Sequence, residues 1–436
     1  MANQINNYQC PACTGPLHFE GTSGKLECEY CGSSYEVAEI EKLYKEAEDK
    51  AKEAYAKAEA TNDGWNNTGS SWGEDAEGLK TYSCPSCGAE LICDETTAAT
   101  SCPYCGNNTI VPGQFEDTIK PDLVIPFKLN KEAAIEGLKN HYKGKKLLPK
   151  SFVSSNRVEE ISGVYVPFWL FDGEAYGDAT YKAEKVRRQR RGNDEDVYTE
   201  HYDVHRAGST QFEKVPVDAS SKMPSGHMDS IEPFDYSDLK EFSTAYLPGY
   251  LADKYDIDIE TSAPRAEARF RNTMISDLKD TVSGYQSVTT TSENVNLKQG
   301  DVNYALFPVW MLSTRFNDQT YTFAMNGQTG KMVGDLPVDK GKLFGYFAAW
   351  FLPMMILISL WTMSQNGTPS WGLAIIAPLF ISSIICFVLY SQMKSVATAT
   401  SAKFYEKEGA FRLTHQTDTY THTTVEHIHH EPPKQG

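Results

Sequence analysis

Tyr346-Phe-Ala-Ala-Trp-Phe-Leu-Pro-Met-Met-Ile-Leu-Ile-Ser-Leu-Trp-Thr-Met363 and Trp371-Gly-Leu-Ala-Ile-Ile-Ala-Pro-Leu-Phe-Ile-Ser-Ser-Ile-Ile-Cys-Phe-Val-Leu-Tyr390 decide how this chain is organised. Only a short polar break, Ser364–Ser370, separates them. From Leu343 to Met393 there is no Asp, Glu, Lys, Arg or His. At about 1.5 Å per helical residue each run spans about 27–30 Å, the thickness of a bilayer's hydrocarbon core. Buried helices of a soluble core rarely run so long without a charge. The stretch therefore predicts a transmembrane helical hairpin over residues 343–393, in contact with lipid through 346–363 and 371–390. Trp350, Trp361 and Trp371 suit the interface, and Pro353 and Pro378 predict kinks.

The flanks set an orientation. Lys331, Lys340 and Lys342 precede the hairpin, and Lys394 and Lys403 follow it. The positive-inside bias puts both ends in the cytoplasm, as expected of a two-pass protein of the inner cell membrane. The first seven residues are polar and uncharged, unlike a secretory signal.

The chain is long enough for two to four domains. Its 436 residues are 40% hydrophobic, with a formal net charge of −17. That charge disfavours general nucleic-acid binding, which needs a basic field, and wide contact with anionic lipid. Ten cysteines in a largely cytosolic chain read as metal ligands rather than disulfides.

Eight of them form a repeated pattern. Cys10, Cys13, Cys28 and Cys31 have the spacing C-x2-C-x14-C-x2-C, and so do Cys84, Cys87, Cys102 and Cys105. Two residues between paired cysteines let a tight turn aim both sulfurs at one ion. Gly32, Gly88 and Gly106 follow three of the four turns and let the backbone fold back. Four thiolates in a tetrahedron select Zn2+ and close its shell, which predicts two structural zinc sites. Cys93 and His18 fall outside the spacing and read as non-ligands. Modules of about 35 residues draw most of their folding energy from the metal.

These modules resemble zinc ribbons, including the amino-terminal ribbons of transcription factor IIB type. Such ribbons bind nucleic acid or protein. Residues 1–36 carry Lys25 against Glu20, Glu27, Glu29 and Glu36, and residues 80–112 carry Lys80 against Glu90, Asp94 and Glu95. A zinc ion with four thiolates adds further negative charge, so protein partners are the expectation.

The domain plan that follows is ribbon 1 over 1–36, a charged helix and flexible linker over 37–79, and ribbon 2 over 80–112. A β-rich α+β cytosolic region occupies 120–335, the hairpin 343–393, and a cytosolic tail 394–436. Within the α+β region, Val124–Leu129 reads as an edge strand and Asn130 as the cap of a helix bearing Ile135, Leu138 and Tyr142. Gly163–Phe171 reads as an apolar strand. A second helix is expected after Ser262-Ala-Pro264, and a turn at Asn326-Gly327. Tyr165-Val-Pro167-Phe-Trp169-Leu echoes Leu306-Phe-Pro308-Val-Trp310-Met, which suggests a duplicated unit with a strand feeding a hairpin. The basic run Lys182–Arg191, followed by Asp194-Glu-Asp196, suits a hairpin tip with opposed charges. Docking of anionic lipid, a partner or nucleic acid are its other readings. Trp65 and Trp72 lie in the linker, where they can serve a partner or pack on a ribbon. Phe411–Thr414 reads as a short strand, and His422, His427, His429 and His430 as a disordered histidine-rich end, with weak metal binding as the other reading.

No phosphate loop, H-E-x-x-H or G-x-S-x-G occurs, and His201 and His205 share a strand face without an evident carboxylate or cysteine partner. No catalytic residue is expected. Taken whole, Val124-Ile-Pro-Phe, Gly163–Leu170, Tyr246-Leu-Pro-Gly-Tyr and Asn326–Gly334 resemble a family of bacterial zinc-ribbon membrane proteins, often mislabelled helicase-like. Some members are encoded beside stomatin-like and phage-shock-type proteins. The resemblance implies an anchoring role and a scaffold or adaptor for proteins at the membrane's inner face. The alternative is a membrane-tethered nucleic-acid-binding protein; a metal or redox sensor is a third reading.

Overall fold

The computed structural model describes residues 17–21, 23–28, 32–40, 42, 69, 71–72, 76, 79–94, 102–105, 111–113, 119–155, 158–192, 194–317, 319–366 and 368–430. Cys10, Cys13, Cys31, Trp65 and most of the charged helix and linker lie outside these residues.

Three short strands, β1 (Leu17–Glu20), β2 (Lys25–Cys28) and β3 (Ser34–Glu36), form an antiparallel sheet of their own. β4 (Leu79–Ser83), β5 (Glu90–Asp94) and β6 (Val111–Gly113) form the second ribbon. Then come β7 (Leu123–Val124), α1 (Lys131–Tyr142), α2 (Lys150–Ser155), β8 (Ser162–Arg191) and β9 (Asp194–Asp218). They are followed by α3 (Ser225–Ile231), β10 (Lys240–Glu241), β11 (Leu251–Asp253), α4 (Ile259–Asp280), β12 (Ser287–Phe316), β13 (Gln319–Asn326) and β14 (Met332–Val333). Two long helices, α5 (Lys340–Asn366) and α6 (Trp371–Ser391), precede the last strand, β15 (Arg412–His429).

The echo in the sequence is a repeat in space. β8 and β12 pair antiparallel, with Pro167 opposite Leu306, Tyr165 opposite Pro308, and Val166 facing Phe307 between them. β11 runs parallel to β8, Ala252 beside Tyr165; β7 runs parallel to β12, Val124 beside Leu306. The Trp169 indole donates to the Ile257 carbonyl at 2.8 Å, and that of Trp310 to the Leu129 carbonyl at 2.9 Å. Each acceptor immediately precedes a helix N-cap, Asp258 and Asn130, whose side chains accept from the Thr261 and Ala133 amides. Proline lacks an N–H, yet its carbonyl still bonds: Pro167 accepts from Ala219 and Pro308 from Gly327, each just past the returning strand. Five equivalent contacts make β7–α1–β8–β9 and β11–α4–β12–β13 two copies of one unit. Each copy's tryptophan secures the other copy's helix.

β8 and β12 are 30 residues each, several times the usual strand length. At about 3.3 Å per residue they run for roughly 100 Å. α4 covers one face of their near half. A Cβ on Gly177 would stand 2.8 Å from Leu278 Cδ1 and Met274 Cγ, so glycine lets the helix lie this close. Beyond α4, β12, β8, β9 and β15 continue as a four-stranded arm, whose tip is the β8–β9 turn at Gly192.

Several expectations need correction. Val124–Leu129 is not an edge strand: only Leu123–Val124 is extended, and it lies between β10 and β12, because Pro126 and the α1 cap take the chain out of the sheet. α4 starts at Ile259, capped by Asp258, and carries Pro264 inside it. Trp72 is buried edge-on against Phe242, 5.6 Å between centroids, just past β10, in a core it shares with Leu17 and Leu26 of the first module. The tail is not a disordered end: β15 is 18 residues long and pairs with β9 along its whole length. Its histidines meet the acidic side of the turn, His427 with Asp196 and His429 with Asp194, both at 2.5 Å, and His430 with Glu195 at 2.7 Å. His201 and His205 do have carboxylates, Glu184 at 3.4 Å and Asp178 at 2.9 Å, supplied by the neighbouring strand.

Candidate metal centre and membrane anchor

Cys84 ends β4. Its carbonyl accepts from the Gly88 amide at 2.8 Å, and its own amide donates to the Ala89 carbonyl at 2.9 Å. That turn needs the left-handed backbone of Gly88, at φ 69°. Cys102-Pro-Tyr-Cys105 supplies the second turn. The Cys84 and Cys105 sulfurs lie 3.6 Å apart, as do those of Cys87 and Cys102, and all four lie within 4.8 Å of one another. These cysteines are not disulfide-bonded. A Zn–S bond of about 2.3 Å in a tetrahedron puts sulfurs about 3.8 Å apart, so the cluster fits a metal ion of that kind.

The electrostatics agree with the fit. Burial pushes the Cys102 thiol well above its ordinary range and that of Cys87 up to about 11. Burial would raise Cys84 as well, but hydrogen bonds from the Cys87 and Ser86 backbone pull it down to about 7. Four sulfurs this close ionise together only with a cation among them. Cys93, fully buried in the same core, is not part of the cluster. In the first module, Cys28 repeats the turn: its carbonyl accepts from Gly32 at 2.8 Å, and Gly32 has φ 71°. The other three cysteines of that module lie outside the described residues.

The second ribbon is built into the main sheet. β5 pairs with β11, Ile92 opposite Ala252 and Leu91 opposite Asp253. Cys84, Leu91, Cys102 and Tyr104 share one core with Val164, Val166 and Leu251. Burial lifts the Asp253 carboxyl to about 7 beside the equally buried Tyr104. The cluster is thus held as firmly as the sheet.

Lys340–Gln365 and Trp371–Ser391 are long and apolar enough to cross a membrane. They pack on each other and turn Leu357, Phe380 and Phe387 outward, each about two-thirds exposed. The hairpin's base is fastened to the sheet. Asp335 pairs with Lys394 at 2.8 Å and accepts from the Ser395 amide, and the Leu336 amide donates to the Met393 carbonyl. Beyond it, the Ala399 amide donates to Asp229, and the Ser401 carbonyl accepts from Arg269. Arg269 also forms a two-pronged pair with Glu232, 3.0 and 2.6 Å, in the core.

The cysteine spacing located the cluster correctly. What the sequence reading missed is the segment wrapped around the hairpin base, Lys143–Lys150, although its lack of acidic residues was there to be seen.

Together these features define a mixed α+β protein with a four-cysteine metal-type cluster and two helices of membrane-crossing length. No protein-family profile matches the chain, and no solved structure matches it. The curated "Uncharacterized protein YdjG" of Bacillus subtilis (strain 168) is 35% identical over 319 residues, 62% of this chain and 92% of that protein. The chain belongs to the family of that protein.

Proposed function

We propose that this protein is a membrane-anchored scaffold without catalytic activity. Zinc-stiffened ribbons and a long β arm hold protein partners at the inner face of a bacterial membrane. One observation carries the reading: the four-cysteine cluster is closed by protein ligands and hydrogen-bonded into the same sheet that clamps the apolar hairpin. A closed shell leaves no position for substrate, so the metal's work is structural. Zn2+ sits at Cys84, Cys87, Cys102 and Cys105, and a second ion at Cys10, Cys13, Cys28 and Cys31. The resemblance to TFIIB-type ribbon membrane proteins supports a place in a stomatin-like or phage-shock-type membrane assembly. Both termini lie in the cytoplasm.

The charges at the arm tip favour this over the nucleic-acid reading. Arg188 pairs with Glu195 at 3.6 Å, and Arg190 and Arg191 stand opposite Glu195 and Asp194 in the strand register, so acidic residues lie across the turn from the basic run. Crosslinking in native membranes, followed by identification of attached proteins, tests the proposal. Capture of specific membrane-associated proteins, altered by substituting Cys10 and Cys13, supports it. Binding of DNA or RNA that falls steeply with salt replaces it with the alternative.

A further inference from the structure

Between Glu136 and Glu159 the chain has no acidic residue but holds Lys139, Lys143, Lys145, Lys146, Lys150 and Arg157. In a protein of net charge −17 this is a marked local reversal. The fold takes the segment to the base of the apolar hairpin. Lys145 Nζ donates at 2.5 Å to the carbonyl of Gln392, the C-cap of α6. Lys342, in the first turn of α5, donates to the Leu148 carbonyl at 2.6 Å, and the Asp339 amide donates to Leu147. These bonds fix the segment at the level where both apolar helices begin and end.

The remaining charge faces outward. Lys143, Lys146, Lys150 and Lys340 are exposed and pair with no carboxylate among the described residues. Of the nearby acids, Asp335 is paired with Lys394, while Asp339 keeps its charge as it accepts from the Lys342 amide, one carboxylate against four lysines. Val153 and Phe344, 45% and 72% exposed, add apolar contacts beside the lysines. An open groove of about 780 Å3, lined by Pro149, Ser151, Phe316, Tyr321, Asp339 and Lys340, gives room for a headgroup. The arm tip is different: it lies at the far end of β8, where Arg188 pairs with Glu195 at 3.6 Å, Arg187 lies over the Tyr198 ring and Arg190 donates to the Gly192 carbonyl.

The geometry points to a basic collar, Lys143, Lys146, Lys150 and Lys340, that binds the anionic phospholipid headgroups of the leaflet the sheet rests on. This rests on the hairpin spanning a bilayer. Lysines at a membrane surface attract acidic lipids within about one Debye length, and the segment's backbone bonds keep these there.

The test uses the full-length protein in phosphatidylcholine bilayers containing a minority of phosphatidylglycerol. Spin resonance compares association of spin-labelled phosphatidylglycerol with that of spin-labelled phosphatidylcholine. The wild type should prefer phosphatidylglycerol, and high salt should erode the preference. Lys143→Gln/Lys146→Gln/Lys150→Gln should lose most of it, whereas Arg187→Gln/Arg190→Gln at the arm tip should keep it. Equal association of the two lipids with the wild type overturns the collar, as does an unchanged preference in the triple variant. Should that variant fail to fold, the salt response of the wild type decides. Release of the chain by alkaline carbonate without detergent refutes the spanning hairpin, and the collar with it.

Discussion

Asp335 and Lys394 stand on opposite sides of two apolar helices in sequence and meet at 2.8 Å in the fold. The pair closes the base of the apolar hairpin against the sheet. Burial would raise the Asp335 carboxyl, but Lys394 and the Ser395 and Val396 amides hold it below the ordinary range. A depressed carboxylate stabilises the fold above its unfolded pKa, about 3.9, and loses that contribution only as pH falls through the lower folded value.

Asp335→Ala should therefore loosen the hairpin base at neutral pH. It leaves the Ser395 and Val396 amides without an acceptor, at a cost of about 1–3 kcal/mol. Faster hydrogen exchange at Leu336 and Ser395, with the arm unchanged, is the expected result. Uniform exchange across the chain would contradict the clamp.

Mild acid acts through two other groups. His141 and His227 donate Nε2–H to the Gly334 and Thr322 carbonyls, and burial lowers both imidazoles below the ordinary range. Their contribution is complete above the unfolded value of about 6.5 and is lost as pH falls through the folded values. Thermal stability should decline below about pH 6.5, before Asp335 titrates. His141→Gln/His227→Gln should flatten that decline; an unchanged pH profile would rule these histidines out.

Arg269 is buried, and its partner Glu232 is buried with it. Removing one member of such a pair strands the other charge, at roughly 3–5 kcal/mol. Arg269→Ala should lower the thermal midpoint sharply. Replacing both members with apolar residues should recover part of that loss.

Metal analysis of the purified chain should give two zinc ions. Cys102→Ser should remove one of them and expose Cys93, now fully buried, to thiol reagents. Zinc content that stays at two would show that the four sulfurs do not share an ion.

Trp310→Phe removes the indole bond to Leu129 and leaves the ring packing, a loss of about 1 kcal/mol. Trp169→Phe should cost the same, because its bond to Ile257 is the equivalent contact. Unequal losses in denaturant titrations would mean that the two copies have diverged in this contact.

The hairpin was legible because absence of charge over fifty residues is a one-dimensional signal, and the Cys84–Cys105 cluster because thiolate spacing is local. Pro-x-Trp gave away the repeat, but not that each tryptophan reaches into the other copy, since Leu129 and Ile257 are far from their donors in sequence. The start of β15 was read at Phe411–Thr414, but its continuation to His429 was invisible for another reason. On an arm with water on both faces, Thr, His and Asp alternate with no apolar face to mark a strand. Lys143–Lys150 reads as an ordinary surface loop until Gln392 and Lys342 place it against the two long apolar helices.

Val166 facing Phe307 marks a local axis, since each is the other's counterpart in the repeat. Contacts that recur with donor and acceptor exchanged across such an axis are those of an isologous dimer. The chain carries inside itself the interface of two protomers. Each half keeps a loop from its own hairpin on its proline, and entrusts the start of its helix to its twin.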